Sequence, residues 1–193
     1  MLRTLISAGA MSFALAASPV LSQSMAMPAS SGAMTASDVG MSPMEGLSAS
    51  DYVKMAADGD MFEIESSQLA LRKAQRSDVK SFANMMIKDH TMTTKALKAA
   101  LSNNDRKIAP PPMMLSSENA ANLKLLEKAP RASFDTLYLT QQVTAHQKAW
   151  ALHKGFATSG SDPALQQVAA TAVPIVEQHL GAVKGMVPAS MAQ

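Results

Sequence analysis

The sequence predicts an all-α protein, a bundle of four long helices with an extended connector between the second and the third. Three observations predict it. Apolar residues recur every three to four positions over four stretches of about 25 residues each, and no stretch shows the strict alternation of a half-buried strand. Turns of a few residues separate the first stretch from the second and the third from the fourth, so each pair reads as an antiparallel hairpin. Between the hairpins lie about 30 residues containing Pro110-Pro111-Pro112, enough chain to travel from one end of a bundle to the other.

Composition bounds the chemistry. A chain of 193 residues with 47% hydrophobic, 4% aromatic and 17% charged content suits one helical domain with a tail. The formal charge of +2 is too small and too dispersed to neutralise a run of phosphates, so nucleic acid is not an expected partner. Without Cys there are no disulfides, thiolate metal sites, Cys nucleophiles or lipidated Cys. His, Asp and Glu are left to carry any chemistry.

Residues 1–22, MLRTLISAGAMSFALAASPVLS, read as a secretory signal peptide: Arg3, an apolar run from Leu5 to Ala17, then Val20-Leu21-Ser22. A membrane-spanning helix needs about 20 apolar residues, and Ser18-Pro19 interrupts this run too early. The expectation is cleavage near Ser22 and export to the periplasm, in or beside the cell envelope, with no membrane span remaining. Residues 23–49 are rich in Ser, Ala, Met, Gly and Pro and poor in large aliphatics, which predicts a flexible linker. Met25, Met27, Met34, Met41 and Met44 fall within it; a disordered Met-rich tail is the expectation, although thioethers can hold soft copper. The bundle domain is placed at 50–187 and a short tail at 188–193.

The first helix starts with Ser48 or Ser50 as N-cap and runs to about Gln75, acids early and basic residues late, as the macrodipole favours. Ser77 is expected to cap the second, which runs to about Leu101 before Asn103-Asn104-Asp105. The connector carries a short helix from Ser117 to Lys128, capped by Ser116 and stopped before Pro130. The third long helix spans about Ala132 to Thr158 and ends at Ser159-Gly160. Ser161 or Asp162 caps the fourth, Pro163 occupies its first turn, and Pro174 is expected to kink it before it ends near Met186. Helices of this length, about 38 Å each, match as a bundle requires, and the long connector lets the second and third run parallel, as in ferritin-like folds.

The middle of each apolar face is polar. At 100° per residue Glu63 falls between two apolar ridges of the first helix, whereas Glu65 projects to the hydrated side. His90 centres the inward face of the second, with Asp89 at its flank. The third aligns Asp135, Gln142, His146 and His153; in the fourth, apolar residues surround His179 while Glu177 points away. All four His therefore face inward. Counted from the Gln75 to Ser77 turn, Glu63 and His90 lie level; His146 and His179 lie 14 and 19 residues from Gly160, a mismatch of about 7 Å.

A buried carboxylate left alone is costly, so two readings compete. One is a single transition metal ion, zinc, copper, iron or manganese, held by Glu63, His90, His146 and His179, with Asp135 as a fifth ligand or as an acceptor orienting an imidazole. The other is a closed hydrogen-bond network without an ion, in a structural or partner-binding envelope protein. A di-iron carboxylate centre is not expected, because the residues three before His90, His146 and His179 are Ile87, Val143 and Val176 rather than Glu. Asp135 and Tyr138, at i and i+3, suggest an orienting contact. Hydrolase and nucleotide motifs are missing, so an enzyme is not the expectation. Self-association into a homo-oligomer is compatible with the sequence.

Several spaced motifs together resemble a known family: E-I-E-x-x-x-L-A around Glu63, K-D-H at Lys88 to His90, F-D-x-x-Y at Phe134 to Tyr138, His146 eight residues later, and V-P-I-V-E-Q-H-L closing the fourth helix. They are similar to the bacterial ferritin-like domain of unknown function that often carries an outer-membrane label. The resemblance covers about residues 50–187. It implies a ferritin-like four-helix bundle, export to the periplasm or envelope, and no established activity. Glu63, Asp89, His90, Phe134, Asp135, Tyr138, His146, Pro174 and His179 match the family pattern, whereas His153 is an addition in this chain. The functional expectation is metal handling or protection against redox stress.

Overall fold

In the computed structural model, residues 33–102 and 107–187 are described. Among the described residues six helices follow in order: α1 Ala36–Val39, α2 Ala49–Lys73, α3 Ser77–Ala100, α4 Ser117–Lys128, α5 Arg131–Ser159 and α6 Pro163–Met186. The signal-peptide assignment and the 188–193 tail lie outside the described residues.

Local chemistry sets most of the boundaries. The Ser48 hydroxyl accepts from Asp51 N at 3.0 Å to open α2, Ser116 does the same for α4, and the Asp162 carboxylate accepts from Leu165 N at 2.9 Å to open α6. At α3 the expectation fails: Arg76, not Ser77, is the N-cap, and its side chain makes no capping bond. A carboxylate from α5 does the work instead, since Asp135 accepts from Gln75 N and from Arg76 N, the latter at 2.9 Å. The fourth long helix continues unbroken through Pro174.

The same contacts establish the topology. Asp135, at the start of α5, and Met186, at the end of α6, both meet the α2–α3 turn, the latter through Arg76 Nη1 at 3.2 Å. Helices α3 and α5 therefore run parallel, while α2 and α6 run opposite to them. α2 packs on α3, α3 on α6, α6 on α5 and α5 on α2, closing a square. This is the ferritin-like four-helix bundle, and the connector with α4 is what returns the chain to the starting end. α4 is pinned against α2 and α5 at both ends. Asp58 holds Ser116 N at 2.7 Å and Asn119 Nδ2 at 2.9 Å, and Lys73 Nζ donates to the final carbonyls of Leu126, Glu127 and Ala129.

From residue 33 onward the expected flexible linker is instead a packed strap. Thr35 and Asp38 form a reciprocal capping box around α1, and Gly40 closes it at φ 79°, a left-handed conformation that costs glycine little. Val39 is fully buried. Gln147 donates to its carbonyl at 2.7 Å, and Met44 N donates to Ala151 O at 2.8 Å. The strap crosses α5 so closely at Gly155 that an added Cβ would sit 1.8 Å from Met44 O. Few large side chains are needed when capping and backbone hydrogen bonds anchor a short segment; overall apolarity was the wrong guide here.

Along α2 and α3 two apolar regions flank a polar layer. Phe82, Met86, Phe134, Tyr138 and Leu139 belong to the region near the α2–α3 turn, and Tyr52, Val53, Leu97, Phe156 and Leu165 to that at the other end. Between them lie Asp60, Glu63 and His90, all buried. Among the described residues no helix is long and apolar enough to cross a membrane.

Candidate metal centre

Three imidazoles from three helices converge in the polar layer. One ring nitrogen each from His90 on α3, His146 on α5 and His179 on α6 lies within 4.8 Å of one from each of the others, and all three residues are buried. The ring of His90 sits 5.8 Å from that of His146 and 5.4 Å from that of His179.

Each imidazole is oriented by an acceptor on its other side. His90 Nδ1 donates to Asp60 Oδ1 at 2.8 Å, His146 Nδ1 to the Gln142 carbonyl at 2.7 Å, and His179 Nε2 to Asp89 Oδ2 at 3.0 Å. Such acceptors settle the tautomer, so in the neutral rings the remaining nitrogen carries a lone pair. His146 Nε2 and His179 Nδ1 face each other at 3.3 Å, and His90 Nε2 is buried without a partner. Asp60 is itself held in place, accepting from Thr93 Oγ1 and Thr94 Oγ1 at 2.9 Å each.

Burial and mutual repulsion keep two of these rings neutral. Burial, with the nearby His179 and His90, pushes the His146 pKa well below its usual 6.5 against the opposing bond to Gln142. Burial and His90 likewise push His179 down to about 4, against the pull of Asp89. For His90, burial alone would lower the pKa, but the bond to Asp60 and the charges of Glu63, Asp60 and Asp89 outweigh it and raise the value.

Glu63 faces inward as expected, yet it is not part of the convergence. Its Oε1 lies 3.9 Å from His146 Nδ1, the nitrogen turned away from His179, and its Oε2 is buried without a partner. Burial pushes this carboxyl up to about 7, against the pull of His90 and of a hydrogen bond from Gln142. Glu63 and His90 are near enough for their charges to interact, as their level depth predicts, but it is Asp60 that accepts the hydrogen bond from His90. Asp60 went unread in the sequence, although Ala56, Asp60 and Glu63 follow one i, i+4, i+7 ridge.

Asp135 is neither ligand nor orienting acceptor, because it sits at the end of the bundle holding the α2–α3 turn. Nor does it pair with Tyr138, whose hydroxyl meets Ser67 Oγ at 2.7 Å. Glu177 does not point away; it accepts from Trp150 Nε1 at 2.9 Å and from Met34 N at 3.1 Å, tying the strap to α5 and α6. The His146–His179 contact forms despite the depth mismatch counted from Gly160. Measured from the helix ends, His146 lies 13 residues before Ser159 and His179 16 after Pro163, which reduces the offset to about 4.5 Å, within side-chain reach.

A cavity of about 360 Å³ reaches the centre, lined by Asp60, Glu63, His90, His146 and His153, and toward its outer end by Met41, Met44 and Met55. His153 is buried, with burial pushing its pKa down to about 4, and its Nδ1 accepts from the Tyr52 hydroxyl at 3.1 Å. The arrangement offers a cation the lone pairs of His146 and His179 and, once its proton leaves, that of His90, beside a cavity lined by His90 and His146.

No curated protein and no solved structure shows a match to the chain. The profile described as "Domain of unknown function (DUF4142)" matches residues 33–186, beginning at the packed strap and ending at the last residue of α6, and the chain belongs to that family.

Proposed function

We propose that this protein binds one transition metal ion through His90, His146 and His179, and that it serves in metal handling or redox-stress protection after export. The observation that carries the reading is the pair His146 Nε2 and His179 Nδ1, two lone-pair nitrogens facing each other at 3.3 Å while each ring's other nitrogen is committed to an acceptor. Two lone pairs in a dry interior repel unless a cation lies between or beside them. A closed hydrogen-bond network accounts less well for the site, since His90 Nε2 and Glu63 Oε2 are buried open ends.

Three imidazoles suit zinc, copper or iron better than manganese, which prefers oxygen. Asp60, Asp89 and the Gln142 carbonyl would orient the ligands, with Glu63 supporting His146 from outside the triangle. A bound ion would polarise whatever occupies its cavity-facing position. The leader-like residues 1–22 support export, and N-terminal sequencing of secreted protein tests it: a mature chain beginning near Gln23 is expected.

The main test is metal analysis and thermal unfolding of protein purified without an affinity tag. Near-stoichiometric zinc, copper or iron is expected, with stabilisation of about 4 kcal/mol at a thousandfold excess of ion over Kd. A His146→Gln/His179→Gln variant should lose both. Absence of any bound ion and of any stabilisation overturns the reading.

A further inference from the structure

The outer end of the cavity has a chemistry of its own. Met41 and Met44 come from the strap and Met55 from α2, so two segments bring three methionine side chains to the lining of one cavity. The strap is held there by design of the backbone: Met44 N is bonded to Ala151 O, and Gly155 leaves room for the Met44 carbonyl. Met41 and Met44 are half-buried, whereas Met55 is 37% exposed and gives the cluster access to solvent. Further in, the same cavity is lined by His90, whose buried Nε2 lacks a partner, and by His146. A purely apolar lid would need no sulfur, and Leu would serve it as well.

We infer that Met41, Met44 and Met55 form a second metal site, a thioether site for cuprous ion at the mouth of the cavity. Thioethers are soft, neutral ligands that select Cu(I) and bind zinc or ferric ion poorly. Binding there is ligand exchange without a redox step: Cu(I) loses its carrier ligands and gains sulfur. An ion leaving the thioethers inward meets the imidazoles without crossing bulk solvent. The site stands on its own residues, whether or not the His triad holds a metal.

The test is anaerobic titration of the full mature chain with Cu(I) against a chromophoric cuprous chelator, followed by X-ray absorption on the copper. The variants are Met41→Leu/Met44→Leu/Met55→Leu, which conserves volume, and the single, partly exposed Met55→Leu as a milder change. Wild type is expected to take up Cu(I) with sulfur in its coordination sphere, and a His146→Gln/His179→Gln variant should retain that sulfur-bound ion. The triple Leu variant should lose it while its zinc uptake stays unchanged, and Met55→Leu should weaken it. Sulfur-bound copper that persists in the triple variant would place the ion on other methionines and overturn the inference, as would failure of the wild type to bind Cu(I). Zinc binding that survives in wild type alongside such a failure would leave the His centre intact and remove only the thioether site.

Discussion

His146 Nε2 stands 3.3 Å from His179 Nδ1, and neither nitrogen carries the proton that would make this a conventional hydrogen bond between neutral rings. The protons lie on the far sides, donated to the Gln142 carbonyl and to Asp89. The bundle thus aims two basic nitrogens at one point and leaves a third, on His90, without a partner beside them. Helices of matched length make this possible, because four rods packed in a square present their inward side chains at fixed depths.

Asp60 is the acceptor that orients His90, and it is the residue at which the account departs most from a simple ligand list. Asp60→Asn keeps size and shape but removes the charge facing His90 Nδ1. Metal affinity is expected to fall by roughly 10- to 100-fold with the fold intact, as for other outer acceptors of ligating histidines. Competition titration with a metal chelator measures it; unchanged affinity would count against His90 as a ligand.

Asp135 should separate stability from metal binding. Replacing it with Ala leaves Gln75 N and Arg76 N without their acceptor at the start of α3. Urea unfolding is expected to show a loss of about 1–3 kcal/mol. The stabilisation conferred by added metal should be the same as in wild type.

How legible was this in the sequence? The four long helices and the short connector helix, the two hairpins, the parallel α3 and α5, and the inward faces of His90, His146, His153 and His179 follow from periodicity and connector length, because each is a property of one helix or of one turn; α1 does not. What failed involved contacts between segments. The role of Asp135 depends on an α5 carboxylate reaching the α2–α3 turn, and Glu177 is drawn inward by Trp150 and by the strap. The strap's sparse hydrophobicity masks a capping box at Thr35 and Asp38, a local signal present in the sequence. Asp60 lay one turn before Glu63 on the same ridge and was overshadowed by it.

His153 makes the metal-free protein sensitive to acid. Its pKa is pushed down to about 4 in the folded chain and returns to about 6.5 on unfolding. Between those values the unfolded chain binds the proton and the folded chain does not, so stability is full above about pH 6.5 and falls as the pH drops toward 4. Unfolding measured at several pH values, in the presence of a chelator, should show wild type losing stability relative to His153→Gln across that window. A pH-independent difference would mean that His153 is not held neutral.

Gly155 is required by the strap rather than by α5. Ala at this position would drive its Cβ into the Met44 backbone, 1.8 Å from the carbonyl oxygen. A loss of about 1–3 kcal/mol is expected, together with faster amide exchange at residues 41–47 as the strap lifts. Exchange that stays at the wild-type rate would show that α5 and the strap can separate without cost.

The most direct measurement is X-ray absorption at the metal edge of the zinc- or copper(II)-loaded protein, with the imidazole ligands counted from their multiple scattering. The account predicts three imidazoles with nitrogen at about 2.0–2.1 Å, and one fewer in each of His90→Gln, His146→Gln and His179→Gln. A shell of oxygen donors, or a spectrum that these substitutions leave unchanged, would contradict it.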